Sequence, residues 1–271
     1  MKRKLSPKKK FSNMHLLRIF LLGVLTLLLI SVITKFTEVA QKSLFDGSHR
    51  FTVAILYAPS IVKVFSFSPE DNSESILTIH TTKEVYQNLE DYIAVPIDAL
   101  IKDSNIPPNI QNPSDLFFSL NFKFGLHTSL TKIDIFRLWF FARNVAPTDI
   151  QSKEISSNLD SSTIDTISSS FFKDNTVESE NKNIQIINET NVTGLGNRLS
   201  RIVSNSGGNV VSVKTNETVE KHSVIEFSGN RGYTTEKLIK ITGYNAIPMQ
   251  KKSFADIIIL IGQDRQNSES F

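Results

Sequence analysis

The residues best suited to bind a ligand lie around a predicted strand-to-helix turn near the C-terminus. Asn188 follows a short apolar run and can close a turn, and Asn191 or Thr193 can cap the helix that follows. Gly194 and Gly196 open that helix, whose free N–H groups suit a phosphate or a carboxylate. Asn188, Asn191, Gly194 and Gly196 are therefore a candidate ligand-binding turn. The simpler alternative is that the two glycines allow the helix to pack tightly on the strand.

Other residue types show no pattern of a catalytic or metal-binding site. The chain has no cysteine, which excludes a thiolate nucleophile, a thiolate metal site and a disulfide framework. It has no Gly-x-Ser-x-Gly motif, and Leu199 stands where a dinucleotide-binding loop starting at Gly194 needs its third glycine. We therefore expect no catalytic residue, no metal and no cofactor. The five histidines are scattered, without a second ligand at metal spacing: His15, His49, His80, His127 and His222.

Strands and helices alternate around the candidate turn. Predicted helices begin near Leu195 and Thr234, and the last strand has five consecutive apolar residues that suggest burial on both faces. The order β-α-β-β-α-β predicts a small two-layer α/β unit over residues 183–265. The predicted strands cover residues 184–187, 210–213, 224–227 and 257–261.

This region resembles a known domain. Three stretches and the helix between the first two resemble the LytR C-terminal domain. They are Ile187-Asn188-Glu189-Thr190-Asn191-Val192-Thr193-Gly194-Leu195, then after the helix Gly208-Asn209-Val210-Val211-Ser212-Val213, and the terminal strand with Gly262-Gln263-Asp264. That domain is found behind LytR-CpsA-Psr modules in bacterial cell-envelope proteins. The resemblance implies a place in the cell envelope and brings no chemistry to these residues.

The N-terminus carries the positive charge of the chain. The formal net charge is +3, but the first 35 residues contain eight basic and no acidic residues, so the remainder carries −5. This asymmetry argues against a nucleic-acid-binding domain. Residues 16–36 are apolar over roughly the 20 positions that cross a bilayer. We expect a basic cytoplasmic tail over 1–15, a transmembrane helix over 16–36 and everything after it outside the cytoplasm.

A cleaved signal peptide is the alternative to an uncleaved anchor. Ala40 is the one plausible residue before a cut, yet Glu38 occupies the position where a small residue is preferred. The apolar run is also long for a signal peptide. These features favour the anchor.

The region 50–150 opens with three predicted strands, over residues 51–57, 60–67 and 75–80, the last two forming a hairpin. They resemble the start of a LytR-CpsA-Psr module, whose members transfer lipid-pyrophosphate-linked glycopolymers to peptidoglycan. The family uses acidic residues for a metal and arginines for the pyrophosphate. This chain has Ala58-Pro59-Ser60 where the family has an acidic residue, and His80 to Glu84 where it has an Arg-Asp pair. These differences from the family pattern predict that the region is a degenerate, non-catalytic relative of the LytR-CpsA-Psr module.

A helix is predicted after Thr131. Thr131 and Asp134 form a capping-box pattern ahead of an aromatic-rich run that ends near Asn144. Because Asp134, Arg137 and Arg143 interrupt an apolar run too short to span a bilayer, we expect a core helix rather than a second membrane-associated segment.

Residues 151–182 have the composition of a linker. They are rich in Ser, Asn, Asp and Thr, and only Ile164, Ile167, Phe171 and Phe172 are spaced to form a helical turn or two. This stretch is predicted to separate two folded units.

These patterns predict an α/β (α+β) protein with an N-terminal transmembrane helix and two small two-layer units. We expect a non-enzymatic, single-pass cell-membrane protein of bacteria that binds peptidoglycan, a wall glycopolymer or an envelope protein, and no nucleic acid. Two alternatives remain open. An active glycopolymer transferase would bring at least two carboxylates and two arginines into one cleft of the first unit, and a structural assembly subunit would expose an apolar patch.

Overall fold

The computed structural model describes residues 13–58, 60–82, 88–102, 106, 112–216 and 221–265. The chain divides into two compact units, Met1–Ser43 and Leu44–Phe271. The described part of the first unit is one long helix, and the second unit holds sheets of six and five strands. The mixed α/β fold predicted from the sequence is confirmed.

Helix α1 spans Asn13–Gln41 and exposes its apolar side chains along its length. The hydroxyls of Thr26, Thr34 and Thr37 donate to carbonyl oxygens one turn earlier, at 2.7–3.0 Å, which satisfies these polar groups within the helix. The helix is long and apolar enough to cross a membrane, a property shared by anchors and signal sequences. The predicted segment 16–36 lies within it.

Sheet 1 has the strand order β5-β4-β1-β2-β3-β6. Neighbours β1, β2 and β3 are antiparallel, whereas β4 and β6 run parallel to β1 and β3. The three predicted N-terminal strands and the hairpin between β2 and β3 are confirmed. The strands are β1 (Phe51–Ala58), β2 (Ile61–Ser68), β3 (Ser73–His80), β4 (Ala99–Lys102), β5 (His127–Thr128) and β6 (Ile150–Ser156).

Helices cover both faces of sheet 1 because its central strands are apolar on both sides. Phe65 and Phe67 share a buried cluster with α3 and α4, while Val62 and Val64 share another with α2 and α5. Sheet 1 thus forms three layers where the sequence suggested two. The four helices are α2 (Leu89–Ile93), α3 (Pro113–Asn121), α4 (Lys132–Asn144) and α5 (Ser161–Phe172).

Helix α4 begins with the predicted capping box. Thr131 Oγ1 accepts the backbone N–H of Asp134 at 3.1 Å, and Asp134 Oδ2 accepts the backbone N–H of Thr131 at 2.8 Å. Ile135 and Leu138 face the core of sheet 1, which confirms the core helix. Its opposite face carries exposed aromatic side chains.

Sheet 2 has the strand order β10-β9-β11-β7-β8. Two helices, α7 (Leu195–Asn205) and α8 (Tyr233–Thr242), pack on one face and enclose its core. The predicted order β-α-β-β-α-β omitted β10, whose short, largely exposed sequence has no apolar alternation. The strands are β7 (Asn183–Asn188), β8 (Asn209–Thr215), β9 (Val224–Phe227), β10 (Asn245–Pro248) and β11 (Ile257–Ile261).

The terminal strand β11 is buried on one face only. Ile257, Ile259 and Ile261 lie in the core, whereas Ile258 and Leu260 are partly exposed. The expectation of burial on both faces is wrong, because α7 and α8 cover only one side of sheet 2.

Residues 151–182 do not form the predicted linker. Strand β6 pairs with β3 through seven residues, and α5 buries Ile164 and Ile167 against sheet 1. Helix α6 (Asn175–Glu180) follows directly. The polar composition was misleading because an edge strand contributes mainly backbone hydrogen bonds, and α5 buries only one face.

The two predicted units are parts of one compact unit. Helix α5 packs on α7, where Arg201 forms a bidentate ion pair with Asp165 at 2.8–3.1 Å. Asn205 adds hydrogen bonds of 3.0 Å to Asp165 and to the carbonyl oxygen of Ala94. These contacts join the helices of both sheets, so no boundary separates residues 50–150 from 183–265.

Candidate ligand pocket

The predicted turn uses the side chain of Asn188 internally. Asn188 is buried, and its Oδ1 atom accepts the backbone N–H of Thr190 at 3.1 Å and the Thr190 hydroxyl at 2.8 Å. Its Nδ2 atom donates to the carbonyl oxygen of Val192 at 2.8 Å. Asn188 therefore shapes the turn, as the sequence indicated.

The glycines of this turn fill structural roles. A Cβ atom at Gly196 would lie 3.0 Å from Val213 Cγ1, so the missing side chain lets α7 approach the sheet. Gly194 has a φ of +92° at the N-cap of α7, and Asn191 is exposed beside it. The four predicted residues come together between β7 and α7. Ligand binding by them stays a prediction.

A pocket of about 430 Å³ opens elsewhere, between the segment that precedes β1 and helix α8. Leu44 and Phe51 supply part of its apolar wall. The polar lining on one side comes from Asp46, His49 and Arg50, and on the other side from Tyr233, Glu236, Lys237 and Lys240.

Arg50 forms the deep wall of the pocket. Its Nη1 atom donates to Ser66 Oγ at 2.8 Å and to the carbonyl oxygen of Phe171 at 3.1 Å. Its Nη2 atom lies 3.9 Å from Asp71 Oδ2. Burial lowers the pKa of Arg50, and the carboxylates of Asp174 and Asp71 offset part of this effect.

Helix α8 is positioned by two carboxylates, of which Asp174 is buried and Glu180 is partly exposed. Glu180 accepts the backbone N–H groups of Tyr233 and Thr234, each at 2.8 Å, and so satisfies the start of the helix. Asp174 Oδ2 accepts the Tyr233 hydroxyl at 2.8 Å and lies 3.5 Å from Lys237 Nζ. Burial raises the pKa of Tyr233, and the negative charge of Asp174 raises it further.

An aromatic stack forms the mouth of the pocket. The rings of His49 and Tyr233 lie 4.3 Å apart and 12° from parallel. His49 Nδ1 lies 2.6 Å from Asp46 Oδ2, which orients the imidazole ring. Burial alone would raise the pKa of Asp46, but hydrogen bonds from His49 and Ser48 hold it below its usual value.

A second pocket of about 270 Å³ shares Lys237 and Lys240 with the first. Lys240 Nζ lies 2.6 Å from Asp98 Oδ1 in this second pocket. Burial raises the pKa of the nearby Glu90 to about 7. Lys240 is half-exposed between the two pockets, and its ammonium also lies 5.3 Å from the centre of the Phe51 ring.

The arrangement is suited to binding a polar ligand. The guanidinium of Arg50 and the ammonium of Lys237 are engaged by internal partners, while the His49–Tyr233 stack, Asp46 and Lys240 line the opening. Such groups exchange hydrogen bonds with hydroxyls and pack against a sugar ring. Among the described residues, no group of three His, Asp or Glu side chains is arranged to hold a metal.

The structure thus defines a two-sheet α/β protein with an apolar N-terminal helix and a pocket beside α8 that has both apolar and polar lining residues. No protein-family model, no curated protein and no solved structure matches the chain.

Sequence reasoning missed this pocket because its two walls are far apart in the chain. His49 and Arg50 precede the first strand, and Tyr233 and Lys237 belong to α8. The available signal was the polar run from Asp46 to Arg50 immediately before a largely apolar strand.

Proposed function

We propose that this chain is a single-pass protein of a bacterial cell envelope that binds a wall glycopolymer without transforming it. The N-terminus lies in the cytoplasm and the second unit outside. The observation that carries the proposal is the pocket beside α8, where the His49–Tyr233 stack and the half-exposed Lys240 line the opening while Lys237 and Lys240 are paired with Asp174 and Asp98.

Two features support the location. The apolar helix α1 follows a strongly basic stretch, which the positive-inside rule assigns to the cytoplasm. The resemblance of residues 183–265 to the LytR C-terminal domain supports an envelope polymer as the ligand.

The geometry favours binding over glycopolymer transfer. A transferase would need arginines free to clamp a pyrophosphate beside metal-binding carboxylates. Among the described residues that line the pocket, Arg50 is the single arginine, and its guanidinium is occupied by Ser66 and Phe171.

The proposal is tested by co-sedimentation of the full chain, held in lipid nanodiscs, with purified cell-wall sacculi. We expect the wild type to sediment, and His49→Ala and Lys240→Ala each to lower the bound fraction about fivefold, as for central contacts of a binding site. Lys153→Ala is the matched control, because Lys153 is exposed on edge strand β6.

Three results would overturn parts of the proposal. A wild type that stays in the supernatant excludes the glycopolymer, and an envelope protein then becomes the partner to seek. If Asn191→Ala abolishes sedimentation while the pocket variants bind normally, the ligand sits at the turn before α7. Protease added to spheroplasts must digest the second unit; its protection would exclude the outside location.

A further inference from the structure

Aromatic side chains cluster on the outer side of α3 and α4 and in the segment that follows α3. Four of the rings contact one another: Phe118 lies 5.1 Å from Phe122 and 5.6 Å from Trp139, and Phe136 lies 5.3 Å from Trp139. Phe124 is 91% exposed and Phe122 is 68% exposed. We name this set the aromatic surface; its members are Phe118, Phe122, Phe124, Phe136, Trp139 and Phe140.

Five of these rings are exposed, whereas Trp139 is partly buried and packs against the core of sheet 1. The opposite faces of α3 and α4 supply that core through Leu116, Leu120 and Leu138, all fully buried. An exposed cluster of large apolar side chains marks a surface that a membrane or another molecule covers.

Basic side chains accompany the aromatic surface. The Lys132 ammonium lies 5.8 Å from the centre of the Phe124 ring, and the Arg143 guanidinium lies 5.8 Å from the centre of the Trp139 ring. Of the two acidic residues on α3 and α4, Asp134 is buried in the capping box and Asp115 lies in the first turn of α3. Tryptophan and phenylalanine beside lysine and arginine are the composition of proteins that lie in a membrane interface.

The chain also connects this surface closely to the membrane segment. Asp134 Oδ1 accepts the backbone N–H of Phe45, and Arg137 Nη1 donates to the carbonyl oxygen of Phe45, each at 3.0 Å. Phe45 is four residues beyond Gln41, where α1 ends. Four residues reach at most about 14 Å, so only a short stretch of chain links the end of α1 to the segment that α4 holds.

We infer that the aromatic surface docks on the phospholipid bilayer that holds α1. The rings enter the boundary between headgroups and acyl chains, and Lys132 and Arg143 lie at the level of the lipid phosphates. The inference rests on the proposal that α1 is a membrane anchor. It adds a second, peripheral contact that holds the folded unit against the membrane surface.

Trp139 is the only tryptophan of the chain, so all tryptophan fluorescence comes from this one member of the aromatic surface. The full chain is reconstituted into phosphatidylcholine vesicles, and flotation in a density gradient measures anchoring by α1. Vesicles that contain lipids brominated near the upper part of the acyl chains then quench tryptophan at that depth. We expect the chain to float, with Trp139 strongly quenched and its emission shifted to shorter wavelength.

Substitution of the two most exposed rings tests the docking without disturbing the core. The double variant Phe122→Ser, Phe124→Ser should reduce the quenching about threefold or more, because it removes two apolar anchors from the interface. Phe254→Ser is the matched control, since Phe254 is 62% exposed in the loop before β11 and should leave the quenching unchanged.

The outcomes separate the two proposals. A chain that floats with an unquenched Trp139 overturns the docking and leaves the anchor intact; cross-linking of two chains through this surface would then identify a second copy as its cover. A chain that fails to float overturns both. Quenching that the double variant does not change also contradicts docking through this surface.

Discussion

The carboxylate of Asp134 accepts a hydrogen bond of 3.0 Å from the backbone N–H of Phe45, a residue at the opposite end of the first sheet's sequence. The same side chain completes the capping box of α4 through Thr131. One buried carboxylate therefore fixes both the start of a core helix and the segment through which the second unit joins α1.

Asp134→Ala should lower the free energy of unfolding by about 2–4 kcal/mol, because it removes the cap and leaves the buried N–H of Phe45 without its acceptor. Urea unfolding in detergent micelles, followed by Trp139 fluorescence, measures the change. The control is Asp115→Ala in the exposed first turn of α3, which should cost less than about 1 kcal/mol. Equal losses in the two variants would contradict the role of Asp134.

Gly196→Ala should lower the free energy of unfolding by about 1–3 kcal/mol, because the added Cβ meets Val213 Cγ1 at 3.0 Å. Val213→Ala removes the atom that the new methyl group meets, so the double variant should regain at least half of that loss. Gly194→Ala should also destabilise, through its φ of +92°, but no atom lies near its Cβ position and Val213→Ala should not rescue it. The same denaturation assay distinguishes packing from backbone strain.

Glu74 should make the second unit less stable as the pH rises. Both carboxylate oxygens of Glu74 are buried, and neither has a hydrogen-bond partner among the described residues. Burial raises the pKa of Glu74 from 4.5 to about 7. The folded state therefore holds the proton more tightly than the unfolded state, and this stabilising contribution is complete below pH 4.5 and lost as the pH rises through 7.

The titration of Glu74 changes the free energy of unfolding by about 3 kcal/mol at most. Glu74→Gln should flatten the pH dependence of the unfolding free energy between pH 5 and 8 and leave the variant more stable than the wild type at pH 8. Thermal unfolding across this range provides the measurement. If Glu74→Gln leaves the pH dependence of stability unchanged, Glu74 is not the group that causes it.

Tyr233→Phe should lower the free energy of unfolding by about 1–2 kcal/mol, because Asp174 loses a buried hydrogen bond of 2.8 Å. Its ring remains to stack on His49, so sedimentation with sacculi should be unchanged. The matched control is Tyr92→Phe, whose hydroxyl donates over 3.3 Å at an exposed site and should contribute less than about 0.5 kcal/mol. Loss of sedimentation in Tyr233→Phe would place the hydroxyl itself in the binding site.

The sequence by itself determined the elements whose signals are local. The apolar run of α1, the three strands that open sheet 1, the capping box at Thr131 and the turn at Asn188 all depend on neighbouring residues, through periodicity, caps and turn chemistry. These local signals specify the same element in any tertiary structure that buries its apolar face. They also predicted four of the five strands of sheet 2.

Only the tertiary structure decided the features that depend on partners distant in the chain. The polar strand β6 exists because β3 offers it a full ladder of backbone hydrogen bonds, and backbone pairing leaves no mark on side-chain composition. The pocket exists because Glu180 and Asp174 hold α8 against the segment around Arg50. These carboxylates are ordinary polar residues in the sequence, and their hydrogen bonds to residues of α8 give them their role.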